Sequence, residues 1–265
     1  MMRAAVILNP ATADVPALRK SIEEALTAAG WAMPMWLETT PDDPGAGMAE
    51  AAVAAGVQLA VICGGDGTIM ACLDAFAGTD MPVALLPLGT GNLLARNLGV
   101  PIEPADALAV AVNGVDRRID LGRVGDLPFS VMAGIGFDAA MMADASDGMK
   151  KIAGWPAYVF SGLRHLRDPV IRVQLRIDDG LLDVVVVAPR TLRDWIRLAW
   201  RVFRRDRTQD SQLERFCGRR ILVETDRIVP RQIDGEVIDD GRSLHARIEP
   251  GALVIRVPQQ VATAA

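Results

Sequence analysis

Gly64-Gly65-Asp66-Gly67-Thr68 follows the apolar run Val57-Gln58-Leu59-Ala60-Val61-Ile62-Cys63 and precedes an apolar helical pattern, which marks a strand-turn-helix junction. Glycines at such a turn permit positive φ and let a ligand approach the backbone. The first N–H groups of the following helix favour anionic oxygen. A phosphate suits this place. Asp66 does not suit a bare anion cradle, because a carboxylate repels phosphate unless a metal ion or a reacting hydroxyl stands between them. Glycines with an acid therefore point to phosphoryl transfer, although doubly wound domains also carry ordinary glycine-rich turns capped by Asp or Thr. A second such turn, Gly89-Thr90-Gly91-Asn92, follows the run Val83-Ala84-Leu85-Leu86-Pro87-Leu88, and a short helix over 93–98 stops at Gly99 with Pro101 beyond. If the two strands lie side by side and parallel, both turns open into one crevice at the carboxyl ends of the sheet.

The elements that must carry these turns alternate. Strand 4–8, helix 15–29 ending at Gly30, strand 31–37 and helix 48–55 ending at Gly56 lead to the strand before Gly64, and a further helix spans 105–112. Strands apolar on both faces belong to a parallel sheet covered by helices on both sides. Beyond about residue 117 the pattern changes: Ile171, Val173, Leu175 and Ile177 alternate with Arg172, Gln174, Arg176 and Asp178, as in a half-solvated antiparallel strand. Alternation recurs at 221–225, 244–248 and 253–257, with Gly, Pro or Asp turn signals between. The expected architecture is an α/β nucleotide-binding domain over 1–117 followed by a β-rich domain over 118–265 with helices at 150–166 and 192–205. The second of these helices carries Leu192, Trp195, Ile196, Ala199 and Phe203 on one face and Arg193, Arg197, Arg201 and Arg204 on another. It reads either as a basic helix resting on an anionic membrane or as an ordinary helix packed on a sheet.

Composition narrows the function further. The 265 residues, 51% hydrophobic and 23% charged, suffice for a large core, and the net charge of −5 argues against a general nucleic-acid binder. Cys63, Cys72 and Cys217 are too few and too scattered for a disulfide framework or zinc spacing, which suits a reducing cytoplasm. With only His165 and His245, acid-base chemistry falls to carboxylates.

Together, the strand with Gly64-Gly65-Asp66-Gly67-Thr68, the stretch Pro87-Leu88-Gly89-Thr90-Gly91-Asn92 and Leu94-Ala95-Arg96-Asn97-Leu98-Gly99-Val100-Pro101 resemble the catalytic domain of the diacylglycerol and sphingosine kinase family of lipid kinases. Asn9-Pro10, Ile119-Asp120-Leu121-Gly122, Gly134-Ile135-Gly136-Phe137-Asp138-Ala139 and Asp234-Gly235-Glu236 extend the resemblance over nearly the whole chain. The first turn alone also occurs in NAD kinases. The resemblance implies a β-sandwich-like second domain and an active site in the interdomain cleft. It implies ATP against Gly64, Gly65, Gly67, Gly89 and Gly91, with Asn9, Thr68, Thr90 and Asn92 near phosphates and sugar and Glu236 holding the nucleotide. Asp234 would be the base toward the lipid hydroxyl, with Asp66 in the Mg²⁺ and phosphate network. No Lys lies in either turn, so neither is a Walker-type loop and Mg²⁺ must neutralise much of the phosphate charge. Asp234-Gly235 is also an ordinary hairpin dipeptide.

Three departures stand out. Ala11-Thr12-Ala13-Asp14 replaces the family's Ser/Gly-containing loop, and Leu93 stands where an acid is common. Asp178-Asp179-Gly180 follows the strand ending at Ile177 directly, so a block of the second domain is missing. A further metal site in relatives, matching Asp179 and the carbonyl near Leu181, would lose partners with that block. The expected protein is a kinase of a membrane lipid, most readily diacylglycerol, peripheral at the inner membrane face and capable of forming a homodimer. The alternatives are an NAD kinase and a non-catalytic lipid- or nucleotide-binding relative inactivated by the deletion.

Overall fold

A computed structural model describes residues 1–11, 14–136, 170–175, 178–187 and 213–259. The expected helices over 150–166 and 192–205, together with Thr12, Ala13 and the end of the Gly134 to Ala139 motif, lie outside the described residues. The chain divides into two compact units. One holds the described residues of Met1–Leu121, Ile177–Asp179 and Glu249–Ala265, the other those of Gly122–Arg176 and Gly180–Ile248.

The first unit is built on strands β1 (Ala4–Leu8), β2 (Met35–Glu38), β3 (Leu59–Gly64) and β4 (Pro82–Pro87) with helices α1 (Val15–Ala28), α2 (Ala46–Ala54), α3 (Asp66–Phe76), α4 (Leu93–Asn97) and α5 (Pro104–Asn113). Its strands run parallel in the order β2–β1–β3–β4. Every residue of β1 and β3 is buried, so both faces of the sheet need cover, and the helices supply it as two packed pairs, α1 with α5 and α2 with α3. Asp14 starts α1 by accepting from the Ala17 N–H at 3.3 Å, and Gly30, at φ +79°, ends the turn that follows. The strand expected over 31–37 begins only at Met35. Pro34 has no N–H to give to a ladder, and Trp31 is buried ahead of it instead.

β5 (Val115–Val124) carries the chain from the first unit into the second, which contains β6 (Leu127–Phe129), β7 (Met132–Gly136), β8 (Val170–Leu175), β9 (Leu182–Val187), β10 (Leu213–Gly218), β11 (Arg220–Ile233) and the part of β12 (Glu236–Val257) up to Ile248. β6 pairs with β5, and the others form an antiparallel series β10–β9–β8–β7–β11–β12. β8 and β9 pair directly from Val170 with Val187 to Leu175 with Leu182, so the Asp178-Asp179-Gly180 connection joins two registered neighbours. The alternation expected there holds, with Val173 and Leu175 buried and Gln174 exposed. The strands expected at 244–248 and 253–257 are one continuous strand. Pro250 and Gly251 do not break β12, because Gly251 takes φ +60° and its N–H donates to the Asp120 carboxylate at 2.7 Å. The second domain expected over 118–265 also loses its end: Val254 and Ile255 pair in parallel with Pro82 and Val83 and belong to the first unit.

No helix among the described residues is long and apolar enough to cross a membrane. Cys63 and Cys72 are buried while Cys217 is exposed. Burial pushes the Cys63 thiol far above its ordinary value. Burial, and then the nearby Asp43 carboxylate, push Cys72 up to about 12. Iodoacetamide at pH 8 is therefore expected to label one thiol in the folded protein and three in denaturant, read by intact mass; labelling of Cys63 or Cys72 in the folded state would contradict this packing.

Candidate active site

The two glycine-rich turns sit at the carboxyl ends of adjacent parallel strands, with Gly64 of β3 in register with Pro87 of β4. They touch. A Cβ on Gly89 would lie 2.7 Å from the Gly65 Cα, and one on Gly65 would lie 3.3 Å from the Gly89 Cα, so two bare backbones are needed where the turns meet. Gly64 and Gly91 are held to glycine by side chains, since a Cβ would come within 2.7 Å of Thr68 and of the Asp66 carboxylate respectively.

Asp66 opens α3 and ties it to the second turn: its Oδ1 accepts from the Leu93 N–H, the first of α4, at 2.6 Å. Its other oxygen lies beside Gly91. Gly65 caps α3 without a side-chain hydrogen bond, which leaves the first N–H groups of that helix open to an external acceptor. Leu93, the residue that departs from the family's acid, thus still contributes through its backbone.

Asn9 follows β1, where the strand order reverses between β2 and β3, and its Nδ2 donates to Thr68 Oγ1 at 3.2 Å. Its Oδ1 accepts from Ala11 N–H at 3.0 Å. Asn92 is fully buried at φ +49°, with Oδ1 accepting from Gly89 N–H at 3.0 Å and Nδ2 donating to Gly89 O at 2.8 Å. The expected phosphate and sugar ligands Asn9, Thr68 and Asn92 therefore bond within the protein and shape the turns, while Thr90 is exposed on the second turn.

In the second unit, Asp234 and Gly235, at φ +44° and +89°, form the two-residue turn between β11 and β12, with Ile233 paired to Glu236. The hairpin role of this dipeptide is thus realised. The Asp234 side chain does more: Oδ2 accepts from Ser130 N–H at 2.7 Å and Ser130 Oγ at 2.9 Å, and Oδ1 from Val131 N–H at 2.9 Å and Met132 N–H at 2.8 Å. Burial raises its pKa, and these four donors offset that only in part, so the carboxyl stays above its ordinary value. Ser130 carries no signal in the sequence, being a lone serine between Phe129 and Val131; only the fold brings it to Asp234. Glu236 is exposed at the start of β12.

Asp179 is exposed in the first unit and Leu181 half-buried in the second. Among the described residues no three His, Cys, Asp or Glu side chains gather to hold a metal. Asp66 alone does fit a Mg²⁺ that keeps its waters and is bound by one carboxylate together with substrate phosphates.

Asn92→Ala is expected to cost about 1–3 kcal/mol, by removing two hydrogen bonds and by straining a left-handed position. Asn92→Gly, free of the strain, should lose less, as read by urea unfolding. Gly89→Ala should weaken nucleotide binding along with stability, measured by ATP titration, because the turns can no longer touch; unchanged affinity would refute the contact's role.

Residues 3–124 match the diacylglycerol kinase catalytic domain, and residues 170–257 match the YegS C-terminal NAD kinase beta sandwich-like domain. The chain is 32% identical over 244 residues to a Pseudomonas aeruginosa protein named "Probable lipid kinase YegS-like", covering 79% of this chain and 80% of that one. It is 30% identical over 288 residues to a protein of the same name from Pseudomonas savastanoi pv. phaseolicola, covering 91% and 90%. The fold matches the crystal structure of a diacylglycerol kinase from Bacillus anthracis str. Sterne with a TM-score of 0.75, at 19% identity over 98% of both chains. With both domain matches in chain order and 32% identity to the Pseudomonas aeruginosa protein over most of both chains, this chain belongs to the YegS-like lipid kinase family, with a diacylglycerol kinase catalytic domain followed by a YegS-type β-sandwich domain.

Proposed function

We propose that the chain transfers the γ-phosphoryl group of ATP to a hydroxyl of a membrane lipid, diacylglycerol first among candidates. The observation that carries this reading is the pair of abutting turns, with an uncapped α3 N-terminus and Asp66 fixed between them. Open N–H groups suit phosphate oxygens, and the carboxylate suits a metal-bound phosphate but not a bare one. No lysine supplies positive charge in either turn, so Mg²⁺, held by Asp66 and the nucleotide, would neutralise the phosphates.

Asp234 is the proposed base. It takes the proton of the lipid hydroxyl as that oxygen bonds to the γ-phosphorus and the bond to ADP breaks. Glu236, two residues on and exposed, is available to a ribose hydroxyl. Peripheral contact with the cytoplasmic membrane face follows from a lipid substrate, and the arginines of 193–204 would serve it. One observation favours a non-catalytic relative instead: all four lone-pair directions of Asp234 are taken.

Incubation with labelled ATP, Mg²⁺ and a total lipid extract is expected to yield one labelled phospholipid. Label in NAD, or in nothing while ATP still binds, would refute this reading. Asp234→Asn should lower kcat about 10²- to 10⁴-fold with little change in KM for ATP. Since burial sets the Asp234 carboxyl above the ordinary carboxylate range, activity should fall as pH drops through that raised value and hold above it.

A further inference from the structure

The four donors on Asp234 are not equivalent. Three are backbone N–H groups of Ser130, Val131 and Met132. That backbone is fixed by the sheet: Leu175 N–H donates to Val131 O at 2.9 Å, and Asp234 N–H donates to Met132 O at 2.8 Å. Withdrawing any of the three would unpair strand ladder. The fourth donor, Ser130 Oγ–H at 2.9 Å from Oδ2, is a rotor and can leave without moving the main chain.

A carboxylate with every lone pair taken cannot accept a further proton. An unsatisfied buried carboxylate is in turn costly, and here Asp234 is 7% and Ser130 2% exposed. We propose that Ser130 is a positioning residue for the transfer: its hydroxyl holds the one lone pair of Asp234 Oδ2 that can be vacated and yields it to the incoming lipid hydroxyl. This rests on Asp234 being the base. The proton then passes from the lipid oxygen to Oδ2 while the Ser130 Oγ–H bond stays intact. The serine changes acceptor and carries no proton between groups.

A serine that only staples the fold would leave the pH dependence of the reaction alone. A serine that holds the base would not, because its hydrogen bond favours the ionised carboxylate, and its loss moves the carboxyl to higher pH. Burial and the hydrogen bonds from residues 130–132, and no charged side chain, shift the Asp234 carboxyl. Residues 130–132 on one side are neutral; on β11, Arg231 is paired with Asp239; on β12, Glu236 is exposed.

The test is a ¹³C titration of the Asp234 carboxyl, identified by its loss in Asp234→Asn, alongside the pH profile of kcat with dioleoylglycerol in mixed micelles. In Ser130→Ala both are expected to move up by about one pH unit, and Ser130→Thr should return both toward the parent. Ser130→Cys, a weaker donor, should show an intermediate shift and serves if the alanine variant does not fold. A carboxyl that moves without the kinetic limb, or no movement in either, overturns the proposal. An Asp234→Asn enzyme with full activity overturns the base assignment and this inference together, whereas an inactive one beside an unmoved Ser130→Ala limb overturns only the role of Ser130.

Discussion

The contact between Gly65 and Gly89 is the constraint from which the first unit's chemistry follows. Two parallel strands bring their exits side by side, and the turns can meet only because neither carries a Cβ at that point. Once they meet, Asp66 can bridge to the Leu93 N–H, and Asn92 can brace Gly89 from within its own turn. Asn9 joins from the neighbouring strand through Thr68. The polar side chains at the crevice thus hydrogen-bond to one another and to the turn backbone, and Gly65 starts α3 without a side-chain cap. This arrangement suits a polyphosphate, which offers many oxygens at positions that fixed amides can match.

A similar economy governs the second unit. Asp234 occupies a left-handed turn position that most residues avoid, and its carboxylate gathers the start of β7 onto the β11–β12 hairpin. Burial disfavours its charge and the donors favour it, so its ionisation depends on how many donors remain. In such a setting one hydroxyl can matter to a reaction without touching substrate.

Much of the framework was legible in the sequence. Apolar runs ending in glycine-rich turns gave the parallel sheet, and period-two alternation gave β8 and the buried faces of Val223 and of Leu244, Ala246 and Ile248. Misreadings occurred where one residue's backbone chemistry outweighed pattern: Pro34 delayed β2, and Gly251 let β12 continue past Pro250. The site was readable as a set of residue types, whereas the hydrogen bonds that Asn9, Thr68 and Asn92 make within the protein were not. A side-chain amide or hydroxyl looks the same in sequence whether it faces a ligand or its own turn.

What the sequence determined by itself is the order of elements in the first unit, the two turns with their acid, and through them the kinase family. These depend on local pattern and on short motifs whose spacing is fixed by a single strand-to-helix junction. What only the tertiary structure decided is which groups meet: Gly65 with Gly89, Asp66 with Leu93, and Asp234 with Ser130 across 104 positions of chain. Hydrogen bonds of that range form because sheet pairing places β7 beside β11, and no local propensity encodes that neighbourhood.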